Sequence, residues 1–209
     1  MLKIDIKGYY PNMDRALALD MLKRYLDEET FEMASGVISH YPGEVGFNPG
    51  SQIVQIIGIT ALDEVDHFIK ERLRVRFYIR YMDDFILLHP DADFLLNCKE
   101  EIEKRLTERK MRLNEPKTFI QSIKESILFL GFVYRLSNTG KVIVLCDPKK
   151  IKHERRKIVR MIPFVRRGEM TKHDLDVHFK AWKASVSYGN SRHLIERLNK
   201  WYIDITKGL

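Results

Sequence analysis

The chain has 209 residues, 44% of them hydrophobic and 31% charged, with a formal net charge of +7. That length allows one or two domains with a real core; no apolar run reaches the ~18 residues of a membrane span, and MLKIDIKGYY lacks the pattern of a signal peptide. Cys98 and Cys146 make neither a disulfide framework nor a metal-ligand set, so a reducing cytoplasm is the expected compartment.

In chain order, LKIDI predicts a short strand from residue 2, punctuated by Pro11 and Asn12. A helix is expected over about 13–26, apolar at Leu17, Met21, Leu22 and Tyr25, and a second over 28–39. YPGEVGFNPG, residues 41–50, reads as a loop. One long helix is expected from Ser51 to about Leu73, then two strands, 75–81 and 84–89, around the aspartates of RYMDDFILLH. Asp91 is expected to cap a helix reaching about Arg109. Short strands follow near 117–122, 127–135 and 140–146. Three helices, 149–166, 171–187 and 191–205, are separated at Gly168 and Gly189-Asn190. This order predicts an α+β fold, with helices on one face of a mainly antiparallel sheet and a helical appendage after it.

The charge is uneven. Residues 148–209 hold 16 Lys and Arg against 6 Asp and Glu, while residues 1–147 carry a small acidic excess. The basic part is either a set of solvated helical faces or a clamp on nucleic-acid phosphates.

Asp83 and Asp84 stand side by side at the tip of an apolar hairpin, where like charges repel unless a cation neutralises them. Oxygen-rich sites of this kind suit Mg²⁺. Asp5 ends the first strand; if that strand lies beside the hairpin, Asp5 and Asp83 converge. Two carboxylate-bridged metals about 3.5–4 Å apart serve in-line phosphoryl transfer. The plainer alternative is a polar turn and an unrelated strand-end acid.

YMDD after an apolar strand resembles the catalytic motif of reverse transcriptases, and the likeness extends well beyond four letters. KIDIKGYYPNMD (3–14) resembles the first catalytic motif of the bacterial type, as found in group II introns, retrons and diversity-generating retroelements. GFNPGSQIVQI (46–56) resembles the next motif, and residues 62–89 the helix leading into the YMDD hairpin. RLNEPKT (112–118) and FLGFVYR (129–135) resemble the two motifs that follow, the second being the primer grip. AWKASVSYGNSRHL (181–194) is loosely similar to the family's thumb.

The resemblance implies a ferredoxin-like palm over 1–147 and a basic helical thumb over 148–209. It implies RNA-directed DNA synthesis from dNTPs, on an RNA template and a DNA or RNA primer, with two Mg²⁺ ions for which Mn²⁺ can substitute. Asp5 and Asp83 match the metal-binding acids, with the Ile6 backbone beside them, and Asp84 is the more supportive member of the pair. The backbone of Ile6, Lys7 and Gly8 would lie along the triphosphate, and Tyr10 matches the aromatic gate against a ribose 2′-hydroxyl. Lys117 would stand by the leaving pyrophosphate. Ser51 and Gln52 would lie near the incoming base pair, Tyr81 and Met82 beneath the primer terminus, and Phe129, Leu130 and Gly131 in the primer-grip turn. Arg155, Arg156, Arg160, Arg166 and Arg167 are candidates for phosphate contact, whereas Trp182 reads as thumb core.

Two departures stand out. Gly46-Phe47 occupies the place where relatives carry Gln-Gly or an aliphatic residue and Gly. Only Met1 to Ile4 precede Asp5, where relatives have a fingers region. The expectation is a palm-and-thumb portion with weak or absent activity alone, with fingers supplied by another segment or with self-association through exposed palm surface. A non-catalytic nucleic-acid-binding or assembly module on a palm scaffold is the alternative. An intron maturase is a weaker third reading.

Overall fold

The computed structural model describes all residues, Met1–Leu209, and divides into two compact units, Met1–Ser122 and Ile123–Leu209. The small sheet of residues 127–146 falls in the second unit, with the C-terminal helices.

The first unit is built on β1 (Leu2–Asp5), β2 (Phe77–Tyr81), β3 (Asp84–Leu88) and β4 (Phe119–Ile120). The strand order is β2-β3-β1-β4 and every pairing is antiparallel. Between β1 and β2 run α1 (Arg15–Lys23), α2 (Glu28–Ser39), α3 (Gln52–Thr60) and α4 (Asp63–His67). Helix α5 (Ala92–Glu108) joins β3 to β4. This is the split β-α-β-β-α-β connection of the ferredoxin-like fold, so the fold is α+β as expected. Leu2, Ile4, Phe85 and Leu87 are buried against Leu95, Cys98, Ile102 and Leu106 of α5, whose spacing of three or four residues makes one apolar stripe. Asp91 caps α5 through the backbone N–H groups of Asp93 and Phe94.

The long helix expected over 51–73 is interrupted. α3 stops at Thr60, Leu62 leaves helical geometry (φ −109°, ψ 9°), and α4 runs into a π-turn over Phe68–Arg72. Thr60 Oγ1 bonds back to the Ile56 carbonyl at 2.8 Å, a contact that bends helices. The carbonyls near the break are taken by arginines: Arg80 donates to Ile59 at 3.0 Å and Arg109 to Ala61 at 3.1 Å. Hydrophobic periodicity passes through this break, which is why the sequence pattern reads as continuous.

The second unit holds β5 (Ile127–Phe129), β6 (Phe132–Leu136) and β7 (Val142–Cys146), then α6 (Pro148–Arg166), α7 (Lys172–Val186) and α8 (Arg192–Thr206). The single strand expected over 127–135 is a hairpin, because Leu130 and Gly131 both take positive φ (50° and 83°), the signature of a tight I′ turn. Ile158, Ile162, Leu175, Phe179, Leu198 and Tyr202 form the core, and Phe179 stacks on Tyr202 at 3.8 Å. Trp182 packs edge-on against Phe179, as a core residue does.

The loop over 41–50 is held by one side chain. Arg15, only 8% exposed, donates to the carbonyls of Tyr41, Pro42 and Gly46 and also of Gly43 and Val45, with the rings of Tyr41 and Phe47 about its guanidinium. A planar fork with five donors suits several carbonyls converging from one loop; an ammonium does not. Replacing Arg15 with Met is expected to cost about 2–4 kcal/mol, through the carbonyls left unpaired, and Arg15→Lys should recover less than half of it. Urea unfolding midpoints of the two variants check this.

Candidate active site

Asp5 ends β1 as a buried residue, its side chain 8% exposed, and the segment after α5 is wrapped around it. Asn114 Nδ2 donates to Oδ1 at 2.6 Å and Lys117 Nζ to Oδ2 at 3.1 Å. The Asp5 carbonyl accepts from Asn114 N at 2.8 Å, and its N–H donates to Thr118 Oγ1 at 3.3 Å. The β1–β3 register sets Asp5 directly opposite Asp84, which places the two side chains on the same face of the sheet. Lys3 Nζ lies 3.5 Å from Asp84 Oδ1, yet that buried oxygen accepts no hydrogen bond.

Asp83 occupies the β2–β3 turn. Burial pushes its carboxyl above its ordinary pKa, and the nearby Asp5 and Asp84 carboxylates push in the same direction. Lys117 is the reciprocal case: its hydrogen bond to Asp5 raises its pKa. Met82, beside Asp83 in the turn, takes φ +52°, an uncommon conformation for a side chain of that bulk. Arg80 braces the turn by donating to the Met82 carbonyl at 3.1 Å while pairing with Asp66 at 2.7 Å, and Tyr78 donates to the same Asp66 oxygen. Tyr81 is exposed on the same strand face as Phe77 and Ile79.

Tyr10 reaches this turn from the other side. Its hydroxyl donates to Met82 Sδ at 3.6 Å, and its pKa is raised by burial and then by Asp83 and Tyr81. Its neighbour Tyr9 is buried and donates to the Gly58 carbonyl at 2.7 Å. Gly8, at φ +57°, closes a turn in which Asn12 Nδ2 donates to the Lys7 carbonyl. Ile6 is buried and bridged to Leu113, and the Lys7 N–H donates to the Arg112 carbonyl at 2.9 Å.

The structure thus brings Asp5, Asp83, Asp84, Lys117, Tyr10 and Met82 together in the first unit. Ser51 caps α3, accepting from Val54 N and meeting the Tyr41 hydroxyl, and Gln52 is exposed beside it. Phe129 is buried, Leu130 is exposed, and Gly131 lies so close to Lys150 that a Cβ there would meet its Nζ at 2.0 Å. These three belong to the second unit. In that unit Arg155, Arg156 and Arg160 join Lys152 and Arg197 around a groove of about 1020 Å³. Arg155 lies 4.6 Å over the ring of Trp201, while Arg167 is paired with Glu169.

Three residues are absent from the expected set. Asn114 lies inside the RLNEPKT motif, and its hydrogen bond to Asp5 marks it. Arg80 had a signal too, as a cation between Ile79 and Tyr81 in an apolar strand. Gly58 had only its place inside a helical run.

No group of three or more His, Cys, Asp or Glu side chains is arranged to hold a metal ion. The donor set still fits a divalent cation in its chemistry: three neighbouring carboxylates, one with an oxygen that accepts no hydrogen bond, are the oxygen ligands hard cations take. Lys117 and Lys3 supply the positive charge here.

The family model of reverse transcriptase (RNA-dependent DNA polymerase) matches residues 1–134, a span that holds β1 through most of β6 and all three acids. The chain belongs to the reverse transcriptase family. No curated protein matches it. No helix is long and apolar enough to cross a membrane.

A raised Asp83 pKa means that the folded state holds this proton more tightly than the unfolded chain does. Stability from that proton is present below the unfolded pKa and is lost as pH rises through the folded one. Asp83→Asn should therefore raise the Tm at pH 7, by about 2–4 °C for each kcal/mol of repulsion relieved. The gain should shrink toward pH 4. Thermal melts of both proteins across that interval check the sign.

Proposed function

We propose that the chain is the palm and thumb portion of an RNA-directed DNA polymerase, transferring dNTPs onto a primer 3′-hydroxyl on an RNA template. The observation that carries this reading is the register that sets Asp5 opposite Asp84, with Asp83 in the adjoining turn. Asp5 and Asp83 would hold Mg²⁺ ions, or Mn²⁺ in their place, with Asp84 in support. Bound there, the cations would lower the pKa of the attacking hydroxyl and offset charge on the leaving pyrophosphate.

The remaining roles fall to side chains. Lys117, with its raised pKa, stays protonated at neutral pH and can neutralise or protonate a leaving phosphate. The Tyr10 ring, held between α3 and the Met82 turn, would block a 2′-hydroxyl. The backbone of Ile6, Lys7 and Gly8 would border the triphosphate; of these, the Lys7 N–H is already engaged by Arg112. Phe129, Leu130 and Gly131 would form the primer grip, and the cations of α6 would follow the duplex backbone.

A second reading, a non-catalytic nucleic-acid-binding module, is favoured by one observation: both Asp5 carboxylate oxygens are already engaged, by Asn114 and Lys117. Primer extension on an RNA template, at low salt with Mg²⁺ or Mn²⁺, separates the two. The polymerase reading expects Asp83→Asn to lose about three orders of magnitude in rate, equivalent to about 4 kcal/mol of barrier, with duplex binding retained. Duplex binding without extension by either protein would favour the module.

The basic groove has its own test. Arg155→Ala and Arg160→Ala should each weaken duplex binding at every sequence and reduce the slope of log K against log salt by about 1. A slope equal to the parent's would remove these residues from the duplex contact.

A further inference from the structure

Gly58 sits inside α3, in QIVQIIGIT, where glycine weakens a helix relative to alanine. Its backbone gives no reason for this choice, since Gly58 is not among the glycines at positive φ. The reason is space. A Cβ at position 58 would lie 2.3 Å from the Tyr10 hydroxyl oxygen, 2.7 Å from Cζ and 2.8 Å from Cε1. The Tyr10 ring therefore rests directly on the helix backbone. Its hydroxyl meets Met82 Sδ at 3.6 Å across the gap, so the ring is held between α3 and the hairpin turn that carries Asp83.

We infer that Gly58 is a positioning residue for sugar selection: its missing side chain seats the Tyr10 ring and so sets the room left at C2′ of the incoming nucleotide. This rests on the reading of Tyr10 as the gate. A methyl group at position 58 would push the ring off α3 by about 1 Å to restore ordinary contact. To relieve that contact the ring must leave its seat on α3, which also changes its contact with Met82. Tyr9 keeps its hydrogen bond to the Gly58 carbonyl, which a Cβ does not remove, although its ring lies 5.3 Å from that of Tyr10.

The test is single-nucleotide incorporation of dNTP and rNTP by the full chain, its Gly58→Ala and Tyr10→Val variants, and the double variant. A displacement of this size near a reacting sugar can cost up to about 100-fold. Gly58→Ala is expected to raise the dNTP KM on the order of tenfold, change kcat far less, and narrow the preference for dNTP over rNTP. In the Tyr10→Val background the same change at position 58 should leave KM and preference where they were, because nothing remains to be displaced. An unaltered KM in Gly58→Ala, or an equal rise in both backgrounds, overturns the inference. If Gly58→Ala fails to fold, the double variant decides: recovery of the fold supports the seat and continued unfolding overturns it.

A second readout needs no turnover. With 3-fluorotyrosine incorporated, the Tyr10 resonance, assigned through Tyr10→Phe, should shift in Gly58→Ala more than that of any other tyrosine. A Tyr10 resonance that stays in place overturns the seat. A shifted resonance with an unaltered preference for dNTP over rNTP keeps the seat but sinks the gate, and with it the role in sugar selection.

Discussion

The buried Asp5 carboxylate is the constraint on which the first unit turns. Antiparallel pairing sets it opposite Asp84, an arrangement that by itself opposes sheet formation. What makes it tolerable is a shell drawn from a distant stretch of chain. Asn114 and Lys117 cover the carboxylate oxygens, while Asn114 N and Thr118 hold the backbone of the same residue. The segment over 112–118 is thus ordered largely by hydrogen bonds to a strand end more than a hundred residues away. It also delivers β4 to the free side of β1. One acidic side chain therefore helps to complete the sheet as well as to mark the site.

The hairpin tip shows the same economy of position. Met82 occupies a left-handed conformation that costs on the order of 1–3 kcal/mol, and it is over-determined from both sides. Arg80 holds its carbonyl and anchors to Asp66, while the Tyr10 hydroxyl reaches its sulfur. Asp66 lies in α4, and the break between α3 and α4 exposes the Ile59 carbonyl that Arg80 also takes. A straight helix through this region would leave no free carbonyl at that point. The interruption that periodicity missed is therefore part of how the turn is held.

Much of this is legible in the sequence. The strand ending at Asp5, the YMDD hairpin, the Asp91 cap and the three C-terminal helices all follow from spacing and turn chemistry, and five motifs in order point to the family. What escaped has a common physical origin. Arg15 carries no local mark of the loop it pins, because its partners are backbone carbonyls, which every residue has. Leu130 is a residue that rarely takes positive φ, so the local pattern reads as one strand where only the resemblance implies a turn. That the Ser51 hydroxyl caps α3 shows only in the structure. Gly58 is meaningful only through a ring nearly fifty residues earlier. Local preference shows where elements lie, but not which side chain fills a gap between them.

The distribution of unfavourable terms bears on which function the site serves. Three of them meet in one small region: mutually repelling carboxylates, a strained Met82 and a glycine inside a helix. A surface built only to hold nucleic acid would gain nothing from this group. Carboxylates repel phosphates, and the second unit already offers Lys152, Arg155, Arg156, Arg160 and Arg197 around one groove. The acids become useful to a phosphate ligand only when cations stand between them, and an aromatic ring seated beside them is useful only if something of defined shape must fit there. Strain and repulsion gathered at one turn, in a unit otherwise consistent in its packing, are the pattern expected where local stability has been exchanged for chemistry. That is the physical ground for preferring a polymerase to a binding module.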